Sequence, residues 1–102
     1  MSEFNLESLK YSQNIISVLA GLRPEKSLSF MLTDEGVEAV KEMMTLTDAK
    51  MPGNMPKLKE AALQVLAPLT EFESAVPRNV NLTEYEIKAM AKVQELVEKA
   101  VE

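Results

Sequence analysis

The chain has 102 residues, of which 46% are hydrophobic and 26% are charged, and its formal net charge is −5. This length and composition are typical of one globular domain, residues 1–102, and they exclude disordered and fibrous proteins. The chain contains no cysteine and no histidine, which excludes disulfides, thiolate nucleophiles and the usual zinc sites.

The first predicted element is a helix over about residues 5–22. Its apolar residues recur at helical spacing, Asn5 is suited to cap its start, and Gly21 provides a stop signal. The next segment, 25–32, alternates apolar and polar residues around Phe30, as a short strand would. Because no second strand is apparent to pair with it, we predict an extra helical turn or an extended apolar linker instead.

The second predicted helix runs over about residues 34–46. Thr33 or Asp34 can cap its start, and the acidic residues of its first turn suit the helix dipole. Gly36 lowers the intrinsic stability of that turn, so this helix is expected to depend on tertiary contacts. The following segment, 45–54, contains a Pro-Gly pair and is predicted to be a loop.

The third predicted helix, residues 55–76, is the element around which the core is expected to form. An apolar residue recurs in it every three or four positions, a spacing typical of a helix packed against other helices. Pro68 lies inside this pattern and removes one helical hydrogen bond, so a kink is predicted there. The apolar stripe consists of Leu58, Ala62, Val65, Leu69, Phe72 and Val76.

The fourth predicted helix, residues 84–101, has the most explicit start signal in the chain. Thr83 and Glu86 have the spacing of a capping box, and Leu82 and Ile87 flank them as a hydrophobic staple. Apolar residues then recur at helical spacing to the end of the chain.

These elements predict an all-α fold, a small bundle of four main helices. No internal repeat with a period of 20–50 residues is apparent from the sequence. The third and fourth helices offer more apolar surface than four short helices are expected to cover. The surplus would suit a partner protein or a homodimer.

The charge distribution argues against nucleic-acid and membrane partners. Arg23 and Arg78 are the only arginines, and no segment gathers the basic stripe that a nucleic-acid surface requires. No run approaches the ~20 apolar residues needed to span a bilayer. The start of the chain is polar and acidic and lacks the features of a secretory signal. We therefore expect a cytoplasmic protein.

Residues for catalysis or for holding a cofactor are scarce. Asp34, Glu38 and Glu42 are four apart and align on one helix face, but such a row is usually a solvated face, and calcium draws six or more oxygens from a folded loop. No glycine-rich phosphate loop is present. The sequence predicts a protein that is not an enzyme and that holds no metal and no cofactor.

Two short stretches resemble parts of DNA-binding regulators. Leu-Thr-Asp-Glu-Gly at residues 32–36, followed by a helix, resembles the exit from the wing of winged-helix regulators. Leu-Thr-Glu-Tyr-Glu at residues 82–86 resembles the opening of the first helix in some archaeal helix-turn-helix regulators. These resemblances imply the alternative function, a nucleic-acid-binding transcriptional regulator with a degenerate helix-turn-helix. Helix capping explains both stretches equally well.

A methionine cluster around the predicted loop is the main candidate contact surface. It comprises Met43, Met44, Met51 and Met55, and exposed methionines make adaptable binding surfaces. Most of them are expected to fill gaps between helices, with Met51 and Met55 the most exposed. The leading prediction is a non-enzymatic α-helical protein–protein interaction module, a regulator or adaptor that could also self-associate. Its predicted interaction surface comprises Met51, Met55, Phe30 and Tyr85.

Overall fold

The computed structural model describes residues 4–73 and 75–102. These residues form four α-helices and one two-stranded antiparallel ribbon, which confirms the predicted all-α fold of four main helices. The elements follow one another as α1 (Leu6–Ala20), β1 (Leu28–Phe30), α2 (Asp34–Lys50), α3 (Pro56–Leu69), β2 (Arg78–Val80) and α4 (Glu84–Val101).

Three of the helices begin at the side-chain caps that the sequence predicts. The side chains of Asn5 and Thr33 each accept a hydrogen bond from the backbone N–H three residues later, at 3.2 Å and 3.1 Å. At α4 the capping box is complete, because Thr83 Oγ1 accepts from the Glu86 N–H at 3.2 Å and Glu86 Oε1 accepts from the Thr83 N–H at 2.8 Å. These bonds satisfy N–H groups that a helix start leaves unpaired.

Residues 25–32 contain a paired strand, and neither the extra helical turn nor the extended apolar linker predicted there is present. Residues 28–30 form β1, which pairs antiparallel with β2 so that Leu28 faces Val80 and Phe30 faces Arg78. The second strand was not recognised because it is three residues long and buries only Val80. A pattern this short shows no alternation that a sequence alone could reveal.

Helix α2 continues past residue 46 to Lys50, so the first part of the predicted loop 45–54 is helical. Leu46 and Thr47 are buried, and the Thr47 hydroxyl donates a hydrogen bond to the Met43 carbonyl at 2.7 Å. Burial of this last part of the helix in the core outweighs the low helix propensity of its two threonines.

The predicted kink at Pro68 is also wrong, because α3 ends at Leu69 instead of continuing to residue 76. The backbone N–H and the hydroxyl of Thr70 both donate to the Ala67 carbonyl, at 3.1 Å and 2.7 Å. This tight turn redirects the chain, so the ring of Phe72 reaches the ribbon. Pro68 therefore lies in the last turn of the helix, and the bond that it removes is the one to the carbonyl of Gln64, an exposed residue.

The apolar stripe of α3 lies in the core, as predicted. Ala62, Val65 and Leu69 are buried, and Leu58 and Phe72 pack partly against the core. The last member of the stripe lies beyond the helix end and is exposed. The alternation of apolar residues every three or four positions thus identified the buried face of this helix.

The chain contains an internal repeat with a period of 50 residues, which corrects the prediction that no repeat is present. The order helix, strand, helix occurs twice, as α1-β1-α2 and as α3-β2-α4. The strands begin at Leu28 and Arg78, and the second helices begin at Asp34 and Glu84, so each pair is 50 positions apart. Burial repeats at the same spacing: residues 12, 15, 16 and 19 of α1 and residues 62, 65, 66 and 69 of α3 are all buried.

The contacts between elements have the pattern that an approximate two-fold axis produces. In the ribbon, Ser29 pairs with Asn79, the residue 50 positions later. Helix α1 packs against α2 and α4, and its equivalent α3 packs against α4 and α2. Each repeat thus covers apolar surface of the other, as the two subunits of a symmetric dimer do.

Candidate functional site

Two of the predicted contact residues, Met55 and Tyr85, line one cavity between the start of α3 and the start of α4. The cavity has a volume of about 510 Å³. Met55 is 37% exposed and Tyr85 is 46% exposed, so both side chains are accessible to a partner. We call this site the Met55–Tyr85 cavity. The remaining residues that line it are Asn54, Pro56, Lys57 and Leu58.

Helix starts hold both side chains in place. Met55 occupies the cap position of α3, where its side chain makes no capping hydrogen bond, and Pro56 follows at the start of the helix. Tyr85 lies in the first turn of α4, directly after the Thr83 cap. A residue without a capping oxygen at such a position forgoes roughly 1 kcal/mol of helix stability. Met55 therefore stands where helix stability alone would favour a polar residue.

The first repeat has a cavity at the equivalent place, between the starts of α1 and α2, with a volume of about 490 Å³. Its lining is mainly polar and acidic, with Tyr11 as its one large hydrophobic side chain. Four of its residues are the equivalents, 50 positions earlier, of residues that line the Met55–Tyr85 cavity: Asn5 corresponds to Met55, Glu7 to Lys57, Ser8 to Leu58 and Glu35 to Tyr85.

In the first repeat the equivalent positions carry polar residues. Asn5 caps α1, and Glu35 lies in the first turn of α2. The helix-strand-helix arrangement by itself therefore does not require a methionine and a tyrosine at the equivalent places. Met55 and Tyr85 make the Met55–Tyr85 cavity more apolar than the equivalent cavity of the first repeat, which is lined by acidic residues.

The cavity between the starts of α1 and α2, which we call the acidic cavity, does not bring together all three carboxylates that align on one face of α2. Asp34 and Glu38 line it, but Glu42 instead accepts a hydrogen bond from the Asn5 backbone N–H at 2.9 Å. Glu38 also forms an exposed ion pair with Lys41 at 3.4 Å. Among the described residues, no group of three or more histidine, cysteine, aspartate or glutamate side chains could hold a metal ion.

Met51 is only 5% exposed and belongs to the core, so the prediction that it is exposed is wrong. It caps the C-terminus of α2, with its backbone N–H donating to the Thr47 carbonyl at 3.0 Å. Because α2 continues to Lys50, the side chain of Met51 lies in the interior and not in an exposed loop. Met43 is also buried and Met44 packs partly against the core. Met55 is thus the one exposed member of the methionine cluster.

Phe30 lies apart from the cavity, at the junction of the ribbon with the end of α3. Its ring meets the ring of Phe72 edge to face, with the centroids 6.2 Å apart. The Arg78 guanidinium lies over the Phe72 ring at 5.6 Å from its centroid. These contacts give Phe30 a packing role between the two repeats.

The expected surplus of apolar surface on α3 and α4 does not occur. Among the described residues of these two helices, Tyr85 is the only large hydrophobic side chain that is exposed. The remaining part of each apolar face packs against neighbouring helices of both repeats. The exposed large hydrophobic residues of the described chain are Leu6, Tyr11, Val18, Met31, Met55, Val76 and Tyr85.

Sequence reasoning did not identify Pro56, Lys57 and Leu58 as parts of the cavity. A comparison of the two halves of the sequence at a spacing of 50 residues would have shown that Lys57 and Leu58 replace Glu7 and Ser8. Within the described residues, no helix is long and apolar enough to cross a membrane. No protein-family model, curated protein or solved structure matches this chain.

Proposed function

We propose that this protein is a non-enzymatic protein–protein interaction module, a regulator or adaptor, that binds its partner through the Met55–Tyr85 cavity. One observation carries the proposal. Two cavities occupy equivalent places in the two repeats; the first is lined by four acidic residues and Tyr11, whereas the second is lined by no acidic residue and exposes Met55 and Tyr85. The loss of the acidic residues and the exposure of Met55 and Tyr85 at this one place support a role in binding.

The cavity suits an apolar side chain presented by another protein. Methionine is flexible and tyrosine offers a large amphipathic surface, and aromatic residues and methionine are enriched in protein interfaces. The chain carries a net charge of −5, so a neutral or basic partner surface is favoured. A second copy of the chain, which would give a homodimer, carries the same charge of −5 and would have to bind through apolar contacts against that repulsion.

The experiment that tests this function compares the wild-type protein with the double variant Met55→Asn, Tyr85→Gln. Asparagine is the residue of the first repeat, and glutamine is the neutral analogue of Glu35, chosen because Glu84 and Glu86 already flank Tyr85. Each protein is tagged and used to capture partners from native lysate, with quantification by mass spectrometry. The matched control is Val18→Ser, which removes an exposed apolar residue (46% exposed) on another part of the surface.

We expect at least one captured protein to be lost with the double variant and retained with the control. Sedimentation of the same proteins tests the homodimer, which should dissociate in the double variant only. If every captured protein is retained by the double variant, the cavity is not the contact surface. Retention of duplex DNA that weakens as salt rises, measured by mobility shift, would favour the alternative of a nucleic-acid-binding regulator.

A further inference from the structure

A third cavity, of about 390 Å³, lies where α2 and α4 end, and its charged residues are basic where those of the acidic cavity are acidic. Its wall is mainly apolar: Leu46 is buried, and Leu96, Ala100 and Phe4 are partly buried. Two lysines, one from each helix, complete the lining. Its volume falls at the lower end of the range of about 300–1,000 Å³ typical of small-molecule pockets. The lining residues are Phe4, Leu46, Lys50, Leu96, Lys99 and Ala100.

The two lysines of this cavity form no ion pair with any residue that the structure describes, whereas Lys41, Lys59 and Lys92 each form one with an acidic residue. In a chain with a net charge of −5, two such lysines at one cavity are a local concentration of positive charge.

The helix dipole explains why a lysine stands in the last turn of α2 and of α4, but not why both reach the same cavity. A lysine on any face of the last turn would serve the dipole equally. Lys50 and Lys99 are not repeat equivalents, since their counterparts 50 positions away are Ala100 and Ala49. Each helix nevertheless contributes one lysine to the same cavity.

We propose that this cavity binds a medium-chain fatty acid. The apolar wall would take the hydrocarbon chain, and Lys50 and Lys99 would take the carboxylate as charge-assisted hydrogen-bond donors. Charge complementarity favours this ligand, because a fatty acid uses both the apolar wall and the two lysines, whereas an uncharged hydrocarbon chain uses only the wall and a small anion only the lysines. This site is separate from the Met55–Tyr85 cavity and does not depend on the function proposed for that cavity.

The test is a titration of the full-length, isotope-labelled protein with decanoate below its micelle concentration, followed by amide chemical shifts. Decanol provides the same chain without the charge, and acetate provides the charge without the chain. The variants are Lys50→Gln and Lys99→Gln, and Lys26→Gln is the matched control because Lys26 is an exposed lysine that does not line the cavity.

Decanoate should shift the amides of the cavity residues and saturate, with decanol and acetate binding more weakly. Each of the two glutamine variants should weaken decanoate binding by about two- to fivefold, as expected for an exposed charge contact, and Lys26→Gln should leave it unchanged. The proposal is overturned if decanoate gives no saturable shift at the cavity, if decanol binds as tightly as decanoate, or if both variants bind like the wild type.

Discussion

Ser29 and Asn79 face each other across the two-stranded ribbon, and they are each other's equivalents in the two repeats. An antiparallel pair centred on equivalent residues is what a two-fold axis passing between them requires. The helices obey the same relation, because α1 contacts α4 as α3 contacts α2. The protein is therefore arranged like a dimer of helix-strand-helix units joined into one chain by residues 51–55.

The duplication predicts that the chain tolerates circular permutation. Phe4, Lys99 and Ala100 line one cavity, so the start of α1 lies near the end of α4. A permutant that begins at Gly53, with a short glycine-serine linker from Glu102 to Met1, should fold with an unfolding free energy within about 2 kcal/mol of the wild type. Urea unfolding followed by circular dichroism measures this.

A permutant opened inside α2, after Val40, is the control and should not fold. Val40 is fully buried, and the cut would divide a helix that contacts α1, α3 and α4. Failure of the Gly53 permutant to unfold cooperatively would contradict the two-fold arrangement. Equal stability of the two permutants would also contradict this arrangement, because a cut inside a repeat would then be tolerated as well as a cut between the repeats.

The repeat also predicts the effect of Thr47→Val. Thr47 is fully buried, and its hydroxyl bonds only to a carbonyl of its own helix, that of Met43. Val97 fills the equivalent place in α4 and is also fully buried. Because the carbonyl keeps its helical partner, removal of the hydroxyl leaves no buried polar group unpaired, and the variant should gain about 0.5–1 kcal/mol of unfolding free energy.

Urea unfolding of Thr47→Val checks this, and the reverse change Val97→Thr is the companion measurement. The reverse change buries a new hydroxyl and should cost about 1 kcal/mol. A loss of more than about 1 kcal/mol in Thr47→Val would show that the hydroxyl has a role that its bond to Met43 does not explain.

Glutamate substitutions should separate the two methionines that flank the loop between α2 and α3. Met51→Glu places a carboxylate at a position that is 5% exposed and at a helix C-terminus, where the dipole opposes it, so a loss of about 2–4 kcal/mol is expected. Met55→Glu places the same group at an exposed helix start, which the dipole favours, and should change stability by less than about 0.5 kcal/mol. Thermal and urea unfolding of both variants give the comparison, and equal losses would contradict the burial of Met51.

The features that local signals determine were predicted well from the sequence. The start of α4 follows from Thr83 and Glu86, which act within one turn, and α4 begins at Glu84 as predicted. The burial of Val65 and Leu69 follows from spacing along a single helix. Such signals need no knowledge of the other parts of the chain.

The features that depend on distant parts of the chain were missed. The strand β1 becomes recognisable only with its partner β2, which lies 50 residues away. The repeat is marked in the sequence by Leu32-Thr33 and Leu82-Thr83, but these were interpreted as separate helix starts, and other equivalent buried residues differ, as Ser12 and Ala62 show. The acidic cavity and the Met55–Tyr85 cavity could be compared only once the repeat was known.

The proposed role of the Met55–Tyr85 cavity depends on the claim that the fold does not need these two side chains. The most direct test is the unfolding free energy of Met55→Asn, Tyr85→Gln, measured by urea denaturation against the wild type. An asparagine cap on α3 and a good helix former in the first turn of α4 should leave stability unchanged or raise it by about 0.5–1 kcal/mol. A loss of more than about 1 kcal/mol would show that Met55 and Tyr85 hold the fold together, and their exposure would then be no sign of a binding surface.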